Sequence, residues 1–386
     1  MKTIDFKNLL TPASLDINSD VHKQLLSLRN IKALELIFHL NKAENLKWLG
    51  DAIKIFRNCN AVERDIVLNK PYVYLWIEKY KSFSSMDDIE KQTWIWNGFL
   101  HIFLQLKYKV NATLENFELR FSVKPKDLFF MKGQTENQNP KEIKVISEND
   151  HITFEVEKVM YKVNGQDLNK LSNNQFITNE VFWFEEYVNI ASSAELRMNM
   201  GITEIVSEEI KETFEEALQL IKCTWPEMFD EIDKNIENIV FFNPPGLPFF
   251  SDFRVHGIIF ACHVTRPVVK VAEWLIHEAS HGRLNTLMCA RPHIFNDMKP
   301  IYRSPWRDEL RPLYGIYHGC FVHCRVLRFY QLLKQNRSIQ NDELINGEID
   351  RIREELQLGL STIKDHASLS PDGETLVRNM NDLVMG

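Results

Sequence analysis

The sequence predicts an α+β fold: a helical N-terminal part, a small central antiparallel sheet, and a helical C-terminal part that carries an HExxH helix. Two observations predict it. Apolar residues recur at helical spacing before residue 110 and after residue 207. Between those stretches the pattern shortens to alternating, β-branched or aromatic segments separated by polar turns.

Leu25, Leu28, Ile31, Leu34 and Ile37 mark the first helical face, and Trp94 to Leu106 a second. From Phe117 the segments FELRFSV, LFFM, EIKVI and HITFEVEKVMYKV read as strands, with GQTENQNPK and SENDH as turns, closing near Asn164-Gly165. Ser207 is the expected N-cap of a helix with Phe214, Ala217, Leu218 and Ile221 on one face. NPPG at 243–246 breaks the chain, and RVHGIIFACHV, 254–264, reads as a strand. Pro267 then opens a helix that runs to Ala290 and stops at Arg291-Pro292. A second Pro-led helix is expected from Arg311-Pro312 to Gln335, and Ser370-Pro371 opens a short last one. The changes of period divide the chain into 1–190, helices plus sheet and a candidate peptide-binding part, and 191–386, a metal-binding catalytic part.

At 386 residues the chain is long enough for two or three domains with proper cores. Lys plus Arg is 46 against 53 Asp plus Glu, and the net charge of −7 argues against a general nucleic-acid binder. No apolar run approaches the ~18 residues of a membrane span, and the N-terminus lacks signal-peptide features. Six scattered cysteines are too few for a disulfide scaffold, so a cytoplasmic protein with reduced thiols is expected.

The chemistry concentrates in His277-Glu278-Ala279-Ser280-His281. Two His four residues apart project from one helix face and can share one metal ion. Glu278 lies about 100° round the helix from His277, placed to touch water beside a metal more easily than the metal itself. Seven of the twelve His fall between 256 and 323. The metzincin pattern is excluded, because its Gly and third His positions hold Leu284 and Leu287. Glu309, beside Asp308, is a weak candidate for the Glu of a gluzincin-type site.

His318 is the stronger candidate for a third ligand. On the Pro-led helix, 311, 318 and 325 fall seven apart, so Arg311, His318 and Arg325 would share one face, with Gly315 and Gly319 beside it admitting a neighbouring backbone. The competing reading is a buried His318 bonded to a carbonyl, with solvated arginines on either side. His323 falls on another face, and His256, His263 and His293 read as loop or strand residues. Cys320 and Cys324 read as small buried hydrophobes.

WLIHEASHGRLNTL, 274–287, followed by SPWRDELRPLYGIYHG, 304–319, resembles the bacterial HExxH-motif peptide-modification family. That family is associated with ribosomally synthesised, post-translationally modified peptides, and includes iron- and 2-oxoglutarate-dependent oxygenases. SLRNIKALELI, VLNKPYVYLWI and LSPDGETLV look similar too, so the resemblance extends over most of the chain while its specific motifs lie in 274–319. It implies His277, His281 and His318 as Fe(II) ligands, with Arg307 and Arg311 as candidate carboxylate partners of 2-oxoglutarate. A facial set of three protein ligands leaves room for a bidentate 2-oxo acid and O2, although the usual triad has a carboxylate where this one has a third imidazole.

The expected function is therefore an Fe(II)/2-oxoglutarate-dependent oxygenase hydroxylating a side-chain carbon of a precursor peptide, with Glu278 orienting a ligand or water. A zinc metallopeptidase with Glu278 as general base, and Glu309, Asp308 or His318 as third ligand, is the alternative. A non-catalytic peptide-binding protein with a structural His pair is a third.

Overall fold

The structure is a computed structural model that describes residues 207–236, 238–243, 249–252, 255–262, 266–335 and 342–386. It also describes six strands between 111 and 202 and the isolated positions 58, 60 and 76. The helices expected over 20–110, isolated positions apart, and the segments at 117–123 and 128–131 lie outside the described residues.

Strands β1 (Asn111–Glu115), β2 (Glu142–Glu148), β3 (His151–Val156) and β4 (Val159–Asn164) form an antiparallel sheet in sequence order. The register is regular, with Val145 opposite Phe154 and Phe154 opposite Tyr161. This is the expected central sheet, its last strand ending at Asn164. Its first strand lies upstream of the segments that carried the expectation.

A second sheet was not legible. The order β5 (Ile177–Thr178), β7 (Asn238–Asn243), β9 (Val255–Cys262), β8 (Phe250–Asp252) makes a mixed sheet, with β6 (Gly201–Ile202) also on β7. β7 runs parallel to β9, whereas β8 and β9 form an antiparallel pair. β5 precedes residue 190 yet pairs with β7, so the chain on either side of that expected boundary shares one sheet. β9 is apolar on both faces, as a covered strand must be. Within it Gly257 takes φ 89°, a region open to glycine alone at little cost.

Helix α1 (Glu208–Thr224) is capped by the Ser207 hydroxyl, which accepts from Ile210 N. It buries the expected Phe214, Ala217 and Ile221. α2 (Pro226–Asn235) follows directly, with Pro at its first turn. α3 (Val268–Ala290) begins just after Pro267 and ends at Arg291, as expected. It packs against α1, α2, β8, β9 and α4 (Leu313–Gln335), and α4 packs in turn on α5 (Asp342–His366) and α6 (Pro371–Met385). Phe214 meets Phe241 edge-on at 4.9 Å and stacks on Phe249 at 5.5 Å, tying α1 to the sheet.

Between α3 and α4 the chain forms a short hairpin of β10 (Tyr302–Ser304) and β11 (Arg307–Arg311). This corrects the start of the Pro-led helix. Arg311 ends a strand and α4 begins at Leu313, so Arg311 does not share a helical face with His318. The residue before proline is pushed out of the helical region by the proline ring, which is the physical reason. Arg325 fits neither reading of that face: it is 2% exposed rather than solvated, and it does not line the cavity that His318 lines.

Arg325 grips Glu231 of α2 with two bonds, Nη1 to Oε1 at 2.7 Å and Nη2 to Oε2 at 2.6 Å. Arg283 of α3 adds a third, Nη1 to Oε2 at 3.1 Å. Removing the shared carboxylate would leave two buried guanidiniums uncompensated. Glu231→Gln is therefore expected to lower unfolding free energy by about 3–5 kcal/mol, measured by denaturant titration, while a truly surface pair would lose under ~1 kcal/mol. Among the described residues, no helix is long and apolar enough to cross a membrane.

Candidate metal centre

The apolar face of α3 (Val271, Ala272, Leu275, Ile276 and Ala279) anchors the helix in the core. That leaves His277, Glu278 and His281 to line a cavity of about 580 Å³. The hairpin closes one side with Trp306 and Arg307, α4 contributes His318 and His323, and α5 contributes Arg351 and Glu355. Of the two arginines implied for a co-substrate, Arg307 lines this cavity and the exposed Arg311 does not. Glu309 and Asp308 are exposed on β11, also away from the lining.

His277 Nε2 and His281 Nε2 stand 3.3 Å apart. Two lone-pair nitrogens at that distance need a shared positive particle, a proton or a metal ion. At metal–nitrogen bonds of about 2.1 Å they would subtend roughly 105° at one ion, an ordinary ligand angle. Burial is the main reason both imidazoles are pushed down to about 3, with His323 and Arg307 adding to it at His277, and His277 and Arg307 at His281. Both rings are thus neutral at pH 7, the form that ligates.

Glu278 is buried, and burial raises its carboxyl to about 7, opposed first by Ser251 and then by Arg307. The Ser251 hydroxyl on β8 donates to Glu278 Oε2 at 2.8 Å, which fixes the carboxylate beside the His pair.

His318 is buried, and burial holds its imidazole well below the usual range, with His281 and His293 adding to this. Its Nδ1 faces Nδ1 of His281 at 3.4 Å, the nitrogen on the far side from His277, and its Nε2 is buried without a hydrogen-bond partner. No carbonyl holds it. Among the described residues, no three His, Cys, Asp or Glu side chains converge as a finished ligand set. The residues nevertheless fit a metal ion in their chemistry: a paired Nε2 set, neutral buried rings, and an orphaned buried imidazole nitrogen beside them.

Several site residues gave no sequence signal. Trp306 was read only as part of SPWR; in the structure its ring stacks on His323 at 4.4 Å and 11°. A Cβ on Gly319 would collide with that ring, so there it is an indole and not a backbone that comes close, while one on Gly359 would meet Cys320 Sγ first and then the ring edge. Gly315 makes only ordinary contacts with Arg311 and Pro312. Trp306 Nε1 and Glu355 Oε2 are a donor and an acceptor buried without hydrogen-bond partners. Arg351 bonds Glu355 and Glu348. His293 lies apart, its Nδ1 hydrogen-bonded to Tyr317 at 2.9 Å, and Cys320 and Cys324 are buried free thiols as expected.

The geometry predicts that His277→Ala or His281→Ala removes bound divalent metal. Elemental analysis of the purified, folded variants checks this, and full occupancy in either would refute the paired site. A comparison with known protein families and with curated proteins finds no match to this chain.

Proposed function

We propose that the chain is an Fe(II)/2-oxoglutarate-dependent oxygenase that hydroxylates a side-chain carbon of a precursor peptide. The observation that supports this reading best is the pairing, in one cavity, of the His277–His281 nitrogens with the guanidinium of Arg307. A dicarboxylate co-substrate needs a cation there, although a hydrolase could also use one to stabilise an oxyanion. Iron(II) with 2-oxoglutarate supplies an oxidant able to take hydrogen from an unactivated carbon, consuming O2 as 2-oxoglutarate loses CO2 and becomes succinate.

The protein's own contribution is placement. His277 and His281 would hold the ion, with a third imidazole from α4, for which the resemblance names His318. Arg307 would receive the far carboxylate of 2-oxoglutarate in two parallel N–H···O bonds. Glu278, oriented by Ser251, would order a ligand or water next to the ion. Trp306 Nε1 and Glu355 Oε2 offer a donor and an acceptor to the peptide's amides. The free thiols of Cys320 and Cys324 suit a cytoplasmic workplace.

A zinc peptidase is the second reading, favoured by one observation: the Glu278 carboxylate is held beside the His pair, where a general base would stand. The two diverge in a direct assay. Coexpression with a peptide encoded nearby, followed by intact-mass analysis, should show a gain of one oxygen and succinate release; peptide fragments would establish hydrolysis instead.

Glu278→Gln separates them again. A hydroxylase losing an orienting carboxylate is expected to slow about 10- to 100-fold. Complete loss with metal retained indicates a missing general base. Arg307→Lys is expected to keep iron and raise the apparent KM for 2-oxoglutarate by about 10- to 150-fold, since an ammonium cannot reproduce the paired bonds. A 2-oxoglutarate titration of both arginine variants decides the partner: an unchanged curve for Arg307→Lys and a shifted one for Arg311→Lys gives the role to Arg311.

A further inference from the structure

We propose that His323 is the third metal ligand of the cavity, its Nε2 joining those of His277 and His281. This rests on the metal-centre reading above and names the ring that completes it.

The tautomer of His323 is fixed by its partner. Its Nδ1 lies 2.9 Å from the carbonyl oxygen of Gly319. A carbonyl can only accept, so Nδ1 carries the proton and Nε2 keeps the lone pair. An imidazole tied through one N–H to a backbone carbonyl is how ligating histidines are characteristically oriented. Trp306, stacked face-on at 4.4 Å, holds the plane of the ring.

The position of the ring agrees with that orientation. His323 stands perpendicular to His277 with ring centres 5.3 Å apart, close to the 5.0 Å between His277 and His281. It also lines the cavity.

His318 is oriented differently. Its Nδ1 meets Nδ1 of His281, the nitrogen left over once His281 has turned Nε2 toward His277. Its ring stacks on His281 at 5.7 Å and lies 4.5 Å from Tyr314. His318 therefore stands behind His281, as a positioning residue that can accept its Nδ1–H, while His323 stands in front. The three Nε2 atoms do not converge in the structure, so binding requires side-chain rotation.

Co(II) is the probe, added to the full-length purified chain. Wild type is expected to bind one equivalent with visible d–d absorption. His323→Cys should then develop a near-ultraviolet thiolate-to-cobalt charge-transfer band, which a merely structural residue would not produce. His323→Phe, which retains a ring to stack on Trp306, should weaken Co(II) binding more than about 10-fold. His318→Ala should retain one equivalent. Full Co(II) occupancy in His323→Cys without the thiolate band overturns the inference and leaves the metal centre to another third ligand. Absence of Co(II) binding by wild type overturns the metal centre itself.

Discussion

The carboxylate of Glu231, shared by Arg325 and Arg283 in the interior, is the constraint on which the arrangement of the site depends. Arg283 lies two residues beyond His281 on α3, and Arg325 two residues beyond His323 on α4. Two residues turn a helix by about 200°, so each segment presents an imidazole on one side and a guanidinium on the other. By fastening both guanidiniums to one point on α2, the clamp fixes the register between α3 and α4. That register decides which histidines of the two helices meet. Such a buried cluster is weak support for net stability, because desolvation of three charges offsets much of the attraction. Its effect is to make other registers costly, since any slip would strand a buried charge.

On the cavity side the same low-dielectric interior acts on neutral rings. Burial strips the imidazoles of their protons, and the nearby Arg307 reinforces the effect on His277 and His281. The rings are therefore held ready to donate lone pairs without first losing a proton. Ser251 works in the opposite direction on Glu278, stabilising its ionised form against the burial that would neutralise it. Burial thus pushes His277, Glu278 and His281 all toward their neutral forms, and Ser251 opposes it at Glu278 alone.

The elements with local signals were legible in the sequence. Ser207 and Ser370 cap helices as their residue types suggest, and Pro267 and Arg291-Pro292 delimit the HExxH helix. The His277–His281 juxtaposition followed from helical period alone. Arg311 was misplaced on α4 because period was weighed above the conformational bias of a residue preceding proline. Arg325 could not be recognised as buried, since its partner lies 94 residues away and nothing local marks it. Trp306, Arg351 and Glu355 reach the cavity from a hairpin and from a remote helix, by tertiary packing that a single sequence does not encode as a pattern. β7 and β8 were missed for a related reason: short strands with little alternation take their identity from the sheet that they join.

The indole of Trp306 sits where Gly319 of α4 and Gly359 of α5 leave no side chain, wedged between two helices from a hairpin outside both. Three positions far apart in the chain thereby form one steric unit with the His323 ring. A methyl at Gly319 displaces the indole, one at Gly359 meets Cys320 Sγ first and presses on the indole edge, and a smaller residue at 306 leaves both helices facing a void. Drift at these positions should consequently be concerted: lineages that lose the tryptophan are free to fill the glycines, and those that keep it are not. The trio would behave as a single inherited character, and its joint presence or joint absence would sort descendants of this chain by whether His323 still has its backing.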